Sequence, residues 1–237
     1  MPDTLAITPV AELLRAHAAD FGPVVSFHET DKIIPVDFSA ESDMSAEVLS
    51  DENNFIHYMY EKLQREQARF GIGGYDEHRT LYNRSRLFGD ENDGEPRRLH
   101  LGIDIWGRPH TAVMAPYDGI VHSLAFNNGF GDYGGTIILS HRLDGVTFHT
   151  LYGHLSLSSL KDSEPGDTIR KGDIFAEFGM PSENGQWPPH LHFQIIVDME
   201  GMEGNYPGVC RYSEREKYLA NCPDPDLILN MMRLLKK

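Results

Sequence analysis

HLHFQIIVDM, residues 190–199, is an apolar run that begins with two histidines one residue apart and follows the rigid segment WPP. Successive side chains of a β-strand point to opposite faces, so His190 and His192 would share one face, with Leu191 and Phe193 on the other. A rise of about 3.3 Å per residue places the two histidine Cα atoms about 6.6 Å apart. An H-x-H pair also fits an exposed polar face, so alone it indicates a metal site only weakly.

Short β-type runs of this kind recur from Gly71 onward and are separated by glycine-rich turns. The clearest are LHLGIDIW, DGIVHSLAF, GGTIILSHR and VTFHTLYGHLS. No segment with a helical period lies between them, which argues against alternating parallel β-α-β units. We therefore predict a mainly β fold, in which residues 71–204 form an antiparallel β-sheet domain, sandwich- or barrel-like.

The two ends of the chain differ from this β-rich part. Residues 1–70 predict a helical region, with the clearest helix inside residues 44–68, where Phe55, Ile56 and Met59 share one face. Residues 205–237 predict a C-terminal extension that ends in a short helix within DPDLILNMMRLLKK.

Composition and charge exclude several classes of partner. The 237 residues include 21 basic and 36 acidic ones, a formal net charge of -15. A field of that sign disfavours nucleic acid and anionic membranes. Two cysteines are too few for a disulfide scaffold. The start MPDTLAITPVAELLRAHAADF lacks the pattern of a secretory signal, so we expect a cytoplasmic protein. The oligomeric state is left open.

LHLGIDIW, residues 99–106, is a second candidate element. Alternation places His100, Gly102 and Asp104 on one face, but a fully extended strand would separate the outer two Cα atoms by about 13 Å. Gly102 permits a bend that would bring both side chains inward. An imidazole and a carboxylate suit zinc. Alternatively, Asp104 would serve a turn or a salt bridge.

LYGHLSL, residues 151–157, is a third element. His154 follows a β-rich run and a glycine, which is consistent with presentation at the end of a strand. Tyr152 would share its face if the strand continues that far. A single histidine here would more often be structural, whereas three such elements in one β domain together favour a metal site.

The order H-x-x-x-D, Y-G-H-L and H-L-H-F closely resembles the lysostaphin-type (LytM-like) zinc metallopeptidases over roughly residues 97–198. APYDGIV, YGGTIILSH and GDTIRKGDIFAEFG match in the same order. The resemblance implies an antiparallel β-sheet domain with an open groove across one zinc ion.

Carried over to this chain, the resemblance implies that His100, Asp104 and His192 bind one Zn²⁺ ion. Strand geometry alone does not distinguish His190 from His192 as the ligand. His154 and His190 then correspond to the two family histidines that flank the metal-bound water, and either can accept a proton near neutral pH. Three protein ligands leave a position for that water, as in catalytic zinc sites. The implied reaction is hydrolysis of a peptide or amide bond, usually in a peptidoglycan cross-link.

Several segments resemble a particular branch of this family more closely. APYDGIVHS, DYGGTIILSHR, NGQWPPHLHFQIIVDM and CPDPDLIL are similar to the metallopeptidase-type middle domain of large fused proteins, and this similarity extends to about residue 229. There the domain lies between a kinase-like phosphotransferase and a pyridoxal-phosphate aminotransferase. Gln194 stands where the secreted peptidases commonly have a glutamate.

We predict a zinc-dependent hydrolase that cleaves a peptide or amide bond, a lysostaphin-type endopeptidase. One alternative is a zinc amidohydrolase that acts on a small substrate in amino-compound metabolism, and another is a non-catalytic binding module. The presence of all five site positions favours catalysis over a binding module. Tyr82, Asn83 and Arg84 precede the first motif, and Asn83 or Arg84 could reach the groove.

Overall fold

A central sheet of eight strands carries most of the β structure. The computed structural model describes residues 9–236 except 29, 41, 43, 45–47, 49, 50, 85 and 90–93. The strands are β1 Ile33–Pro35, β2 Phe70–Gly73, β3 Glu77–His78, β4 Leu99–His100, β5 Ile103–Trp106, β6 Ala112–Met114, β7 Gly119–Asn127, β8 Gly134–Leu143, β9 Val146–Leu155, β10 Thr168–Ile169, β11 Ile174–Glu177, β12 His190–Ile196 and β13 Val209–Cys210.

The central sheet has the strand order β1-β2-β5-β12-β9-β8-β7-β10. A two-stranded sheet pairs β11 with β6, and a three-stranded sheet has the order β13-β4-β3. All strand pairs of the described residues are antiparallel except β1 and β2, which run parallel. The mainly β, antiparallel fold class predicted from the sequence is confirmed.

Within the described part of the chain, five α-helices and several 3₁₀ turns with defined bounds accompany the sheets. The α-helices are α1 Pro9–Ala16, α2 Glu52–Arg65, α3 Leu157–Lys161, α4 Arg215–Asn221 and α5 Asp226–Leu229. The 3₁₀ turns are Ala18–Asp20, Leu81–Arg84, Arg86–Phe88, Tyr212–Glu214 and Met232–Lys236. The short helix predicted near the C-terminus is therefore present. It ends at Leu229, and the next residue, Asn230, has a left-handed φ of 48° that does not continue a helix.

Helix α2 lies between the two parallel strands β1 and β2, as in a β-α-β crossover. Asp51 caps its N-terminus, because the Asp51 side chain accepts a hydrogen bond from the backbone amide of Asn54. The sequence analysis predicted a helix here but missed β1, because a three-residue strand is too short to show a period. The boundaries proposed after residues 70 and 204 stay predictions.

The two faces of the central sheet have different roles. On one face, Ile103 and Ile105 of β5 join Leu191 and Phe193 of β12 in the main hydrophobic core. The residues between them, which carry the histidine and aspartate motifs, point to the opposite face. This alternation follows from the two-residue period of a strand.

Helix α2 and the segment that contains α4 pack onto the face that carries the motifs, whereas α1 and α5 join the main hydrophobic core on the opposite face. Phe55 of α2 contacts the rings of Phe38, Trp106 and Trp187, with centroid distances of 5.6, 6.0 and 6.2 Å. On the other side, Leu219 of α4 and Cys222 belong to a cluster around β4 and β9 whose remaining members are Leu99, Leu101, Tyr133, Ile138, Leu151, Ile196, Met199, Tyr206 and Cys210. Among the described residues, we find no helix with the length and apolar character that a membrane crossing requires.

Replacing Phe55 with alanine tests the packing of α2 on the sheet. Phe55 is fully buried, so Phe55→Ala should lower the free energy of unfolding by about 3–5 kcal/mol through lost burial and the cavity left behind. Urea denaturation followed by circular dichroism measures this loss. Tyr60→Ala on the same helix is the control, because Tyr60 is 60% exposed and its loss should cost within about 0.5 kcal/mol. Equal losses in both variants would contradict the packing described.

Candidate metal centre

Strand β12 presents the H-x-H pair on the face opposite the core. His192 lies opposite Asp104 of β5, and His190 lies opposite Trp106 of the same strand. Every residue of β12 is buried, so both imidazoles are held inside the protein. The prediction that both histidines share one face of a strand is confirmed.

The bend predicted at Gly102 divides residues 99–106 into two strands. β4 ends at His100 and β5 begins at Ile103, and the two strands belong to different sheets. The bend brings Nε2 of His100 to 3.4 Å from Oδ1 of Asp104. A Cβ atom at residue 102 would lie 2.5 Å from Cε1 of His192, so the site leaves room only for glycine there.

Three side-chain atoms from these elements, each able to bind a metal ion, form a small triangle. Nε2 of His100 is 2.9 Å from Nδ1 of His192, which is 3.2 Å from Oδ1 of Asp104. With the 3.4 Å edge given above, these separations resemble the roughly 3.3–3.5 Å between ligands in tetrahedral zinc sites with bonds of about 2.0–2.2 Å. Among the described residues, this is the one set of three or more histidine, cysteine or acidic side chains that converges in this way.

Hydrogen bonds on the far side of each imidazole fix its tautomer. Nδ1 of His100 lies 2.8 Å from the carbonyl oxygen of Gly74, which can only accept, so Nδ1 carries the proton. Nε2 of His192 lies 2.9 Å from Oε1 of Gln194 and donates to it. Both imidazoles therefore turn an unprotonated nitrogen toward the triangle.

Gln194 is oriented by the C-terminal part of the chain. Its Nε2 donates to the carbonyl oxygen of Pro207 at 3.1 Å and to Sγ of Cys222 at 3.2 Å. These two acceptors leave Oε1 as the atom that faces His192. The side-chain amide of Gln194 thus accepts the hydrogen bond of His192 without adding a charge to the site.

All three atoms of the triangle are hydrogen-bond acceptors, and none of them carries a proton to donate to the other two. Two imidazole lone pairs and a carboxylate oxygen at these distances repel one another unless a cation lies among them. Burial, together with the nearby charge of Arg79, lowers the pKa of His100 to about 3, so protonation of this imidazole does not relieve the repulsion near neutral pH. The chemistry and spacing of these three atoms fit a divalent metal ion.

Asp104 keeps its negative charge despite being only 2% exposed. Burial by itself would raise the pKa of this carboxyl group, but the positive charge of Arg79 opposes that effect, and the pKa lies well below its usual value. The guanidinium of Arg79 donates to Oδ2 at 2.6 Å, which leaves Oδ1 to face the two imidazoles.

His154 reaches the site through an unusual backbone conformation. Its φ is +64°, a left-handed value that is uncommon for a residue other than glycine. Tyr152 lies in the core against Phe193, so the expectation that Tyr152 and His154 share a face is wrong. The left-handed turn directs His154 toward the site instead, with Nδ1 donating to the carbonyl oxygen of Asn184 at 2.8 Å.

His190 is held between two other rings. Its imidazole stacks on Trp106 at a centroid distance of 3.8 Å and lies 4.0 Å from the ring of His154. Nδ1 donates to the carbonyl oxygen of Pro188 at 2.8 Å, which leaves Nε2 unprotonated and 4.0 Å from Oδ1 of Asp104.

Both flanking histidines are neutral near pH 7. Burial, and next the neighbouring His190, hold the pKa of His154 well below its usual value. Burial likewise lowers the pKa of His190 to about 4. Each therefore presents a lone pair that can accept a proton from a group bound beside the triangle.

The site lies in a cavity of about 450 Å³. The N-terminal segment supplies one wall through Leu81, Tyr82 and Phe88, and the C-terminal segment supplies another from Met202 to Val209. All five predicted site residues line this cavity, and none is more than 5% exposed.

The structure thus brings together His100, Asp104, His154, His190 and His192, whose individual roles stay predictions. Of the residues singled out before the first motif, Tyr82 lines the cavity, and the side chains of Asn83 and Arg84 lie outside the described residues. The sequence analysis missed Arg79, which no local pattern marks. It noted Gln194 only as a departure, although the position of Gln194 two residues after His192 in β12 placed it on the same face.

Parts of the chain are similar in sequence to known peptidases. Residues 98–203 match the family model described as peptidase family M23. An uncharacterized metalloprotease of Haemophilus influenzae is 34% identical over 102 residues, which are 43% of this chain and 19% of the relative. The L-Ala–D-Glu endopeptidase of Bacillus subtilis is 26% identical over 145 residues, 59% of this chain and 42% of the relative. The chain therefore spans less than half the length of either curated relative.

Solved structures also resemble the chain. The catalytic domain of the antimicrobial peptidase lysostaphin from Staphylococcus simulans is 21% identical, with a TM-score of 0.39, over 68% of this chain and 97% of that one. A zinc-containing peptidase from Vibrio cholerae is 24% identical, with a TM-score of 0.34, over 42% of this chain and 28% of that one. The family match and the two curated relatives therefore show that residues 98–203 of this chain are similar to peptidase family M23.

Proposed function

We propose that the protein is a zinc-dependent peptidase that hydrolyses an amide bond. The observation that carries this proposal is the buried triangle of three acceptors, with edges of 2.9, 3.2 and 3.4 Å, beside two further neutral imidazoles. The match of residues 98–203 to the M23 family model, and the metalloprotease and endopeptidase names of the two curated relatives, support the same reaction class.

His100, Asp104 and His192 would hold the zinc ion through Nε2, Oδ1 and Nδ1. When bound, zinc would polarise the scissile carbonyl and lower the pKa of a water molecule toward about 7. Three ligands from the protein, with the remaining space open to the cavity, match the arrangement of catalytic rather than structural zinc sites.

His154 and His190 would handle the protons of the reaction. Each fixes its ring by donating from Nδ1 to a backbone carbonyl, so each offers Nε2 as a base. One imidazole takes the proton of the attacking water and later returns it to the leaving amine. The carboxylate of Asp104, 4.0 Å from Nε2 of His190, stabilises the positive charge that forms in between.

Removing either flanking histidine should separate catalysis from metal binding. His154→Ala and His190→Ala should each keep one zinc ion per chain, because neither supplies an atom of the triangle. Hydrolysis of a peptide that contains the L-Ala–D-Glu bond should fall by about 10²–10⁴-fold, the range for loss of a general acid or base. Zinc content by atomic emission and kcat by chromatographic assay measure the two effects.

The control for this experiment is His57→Ala, which removes a histidine whose side chain is 69% exposed. It should change neither zinc content nor kcat. Unchanged activity in both cavity variants would contradict the proton-transfer role, and loss of zinc in parallel with activity would assign these histidines to metal binding instead.

The dimensions of the cavity favour a short peptide or a small amide as the substrate. A volume of about 450 Å³ lies in the range of pockets that enclose a small molecule. Walls that include Tyr82 and Phe88 on one side and Tyr206 and Val209 on the other surround side chains that are almost fully buried. This observation supports the second candidate, a zinc amidohydrolase in amino-compound metabolism, as does the resemblance to the middle domain of phosphotransferase–aminotransferase fusions.

A comparison of substrate sizes tests this preference. The zinc-loaded protein should hydrolyse free dipeptides and tripeptides with an L-Ala–D-Glu bond, or small amides, with a kcat/KM at least about tenfold above that for intact peptidoglycan. That threshold corresponds to about 1.4 kcal/mol of discrimination. Release of free amines measures all substrates on one scale, and equal or faster cleavage of the polymer would contradict the preference.

Two exposed methionines provide a matched pair of variants for the same assay. Met202 lines the cavity and is 39% exposed, whereas Met180 is 41% exposed and is not among the cavity-lining residues. Met202→Ala should widen the cavity and raise the relative rate for the polymer. Met180→Ala should leave the ratio unchanged.

A further inference from the structure

The side chain of Arg79 connects the N-terminal part of the chain to the candidate metal centre. Arg79 follows β3 and precedes the family segment of residues 98–203. Its side chain is only 2% exposed, an uncommon position for a charged residue unless that charge is paired. Nothing in the proposed hydrolysis requires it to touch the substrate.

The guanidinium of Arg79 makes three directed hydrogen bonds. Nη1 donates to Oδ2 of Asp104 at 2.6 Å and to the hydroxyl of Tyr82 at 3.0 Å, and Nε donates to Oε2 of Glu77 at 2.5 Å. Its Cζ also lies 5.2 Å from the ring centre of Phe38. These contacts fix the plane of the guanidinium, so they also fix the oxygen to which it donates.

The bond to Asp104 determines how that carboxylate faces the triangle. Oδ2 is occupied by Arg79, so Oδ1 alone points to His100 and His192, at 3.4 and 3.2 Å. Without this bond, the carboxylate would be free to rotate and to present both oxygens or neither to a metal ion. Hydrogen bonds of this kind orient metal ligands and tune how tightly the ion is held.

The surrounding charges leave the carboxylate available to a cation. Arg79 pairs with the partly buried Glu77 as well as with the buried Asp104, so its positive charge is shared between two carboxylates. The site without metal therefore keeps about one uncompensated negative charge. A divalent cation bound at the triangle would compensate that charge, whereas an unpaired buried carboxylate is costly.

We propose that Arg79 is a positioning residue for Asp104, so that a residue before the segment that matches the family model completes the metal centre. This inference rests on the proposed zinc-binding function. It assigns a role in the site to Arg79, which lies outside the residues 98–203 that match the family model.

Zinc affinity of Arg79 variants tests the inference. Competition with a chromophoric chelator gives the zinc Kd of the full-length protein, of Arg79→Gln and of Arg79→Lys. Arg79→Gln should raise Kd by about 10–100-fold, the usual effect of removing a group that orients a ligand. Arg79→Lys should give an intermediate Kd, because an ammonium keeps the charge but cannot reproduce the planar fork of hydrogen bonds.

Arg215→Gln is the matched control. Arg215 donates from Nε to Oδ1 of Asp76 at 2.8 Å, so this variant also removes an arginine–carboxylate pair, whose side chains bond to each other and not to a side chain of the triangle. Its zinc Kd should equal that of the unmodified protein. A purely structural role for Arg79 would lower the melting temperature of the zinc-free protein in both variants without a selective change in Kd.

Cobalt in place of zinc adds a spectroscopic readout, because the visible absorption of bound Co²⁺ depends on the geometry of its ligands. The bands should shift in Arg79→Gln and stay unchanged in Arg215→Gln.

A Kd within about threefold of the unmodified protein in Arg79→Gln, or tighter binding, would overturn the inference. If Arg79→Gln does not fold, Arg79→Lys is decisive, and an unchanged Kd and spectrum there would overturn it. Failure of the unmodified protein to bind zinc would instead overturn the proposed function.

Discussion

The buried carboxylate of Asp104 is the constraint on which the rest of the structure depends. It lies in the centre of an eight-stranded sheet, where an uncompensated charge would be strongly destabilising. The protein surrounds it with one guanidinium and two imidazoles, and the bend at Gly102 brings the first of those imidazoles within reach. The hydrogen bonds around the site leave one acceptor each on His100, Asp104 and His192 facing a common point, and that arrangement makes this part of the sheet a candidate metal-binding site.

The chain outside the matched segment stabilises this arrangement from two directions. Arg79 contacts Asp104 from the N-terminal side, and Cys222 and Pro207 orient Gln194, which in turn orients His192, from the C-terminal side. The same regions form the hydrophobic clusters that cover the motif-bearing face and the walls of the cavity. Stability, ligand geometry and substrate access are therefore coupled, because they depend on the same packing contacts.

Local patterns in the sequence were sufficient to predict the antiparallel strands, the shared face of His190 and His192, and the bend at Gly102, since each depends on the two-residue period or on one glycine. Two features depend on tertiary structure and were missed or wrong. The orientation of His154 follows from a left-handed backbone that no alternation rule contains, and Arg79 reaches Asp104 across 25 residues of chain. Strand β1 was missed because a strand of three residues is too short to show a period.

X-ray absorption at the zinc K-edge tests the central claim most directly, because it reports the atoms around the ion without requiring a substrate. The account predicts one zinc per chain, with two imidazole nitrogens and only nitrogen or oxygen neighbours at about 2.0–2.2 Å. Replacing Asp104 with alanine should remove an oxygen from that shell. A zinc-loaded protein whose spectrum shows sulfur at about 2.3 Å, or a protein that binds no zinc, would contradict the convergence of His100, Asp104 and His192 on one ion.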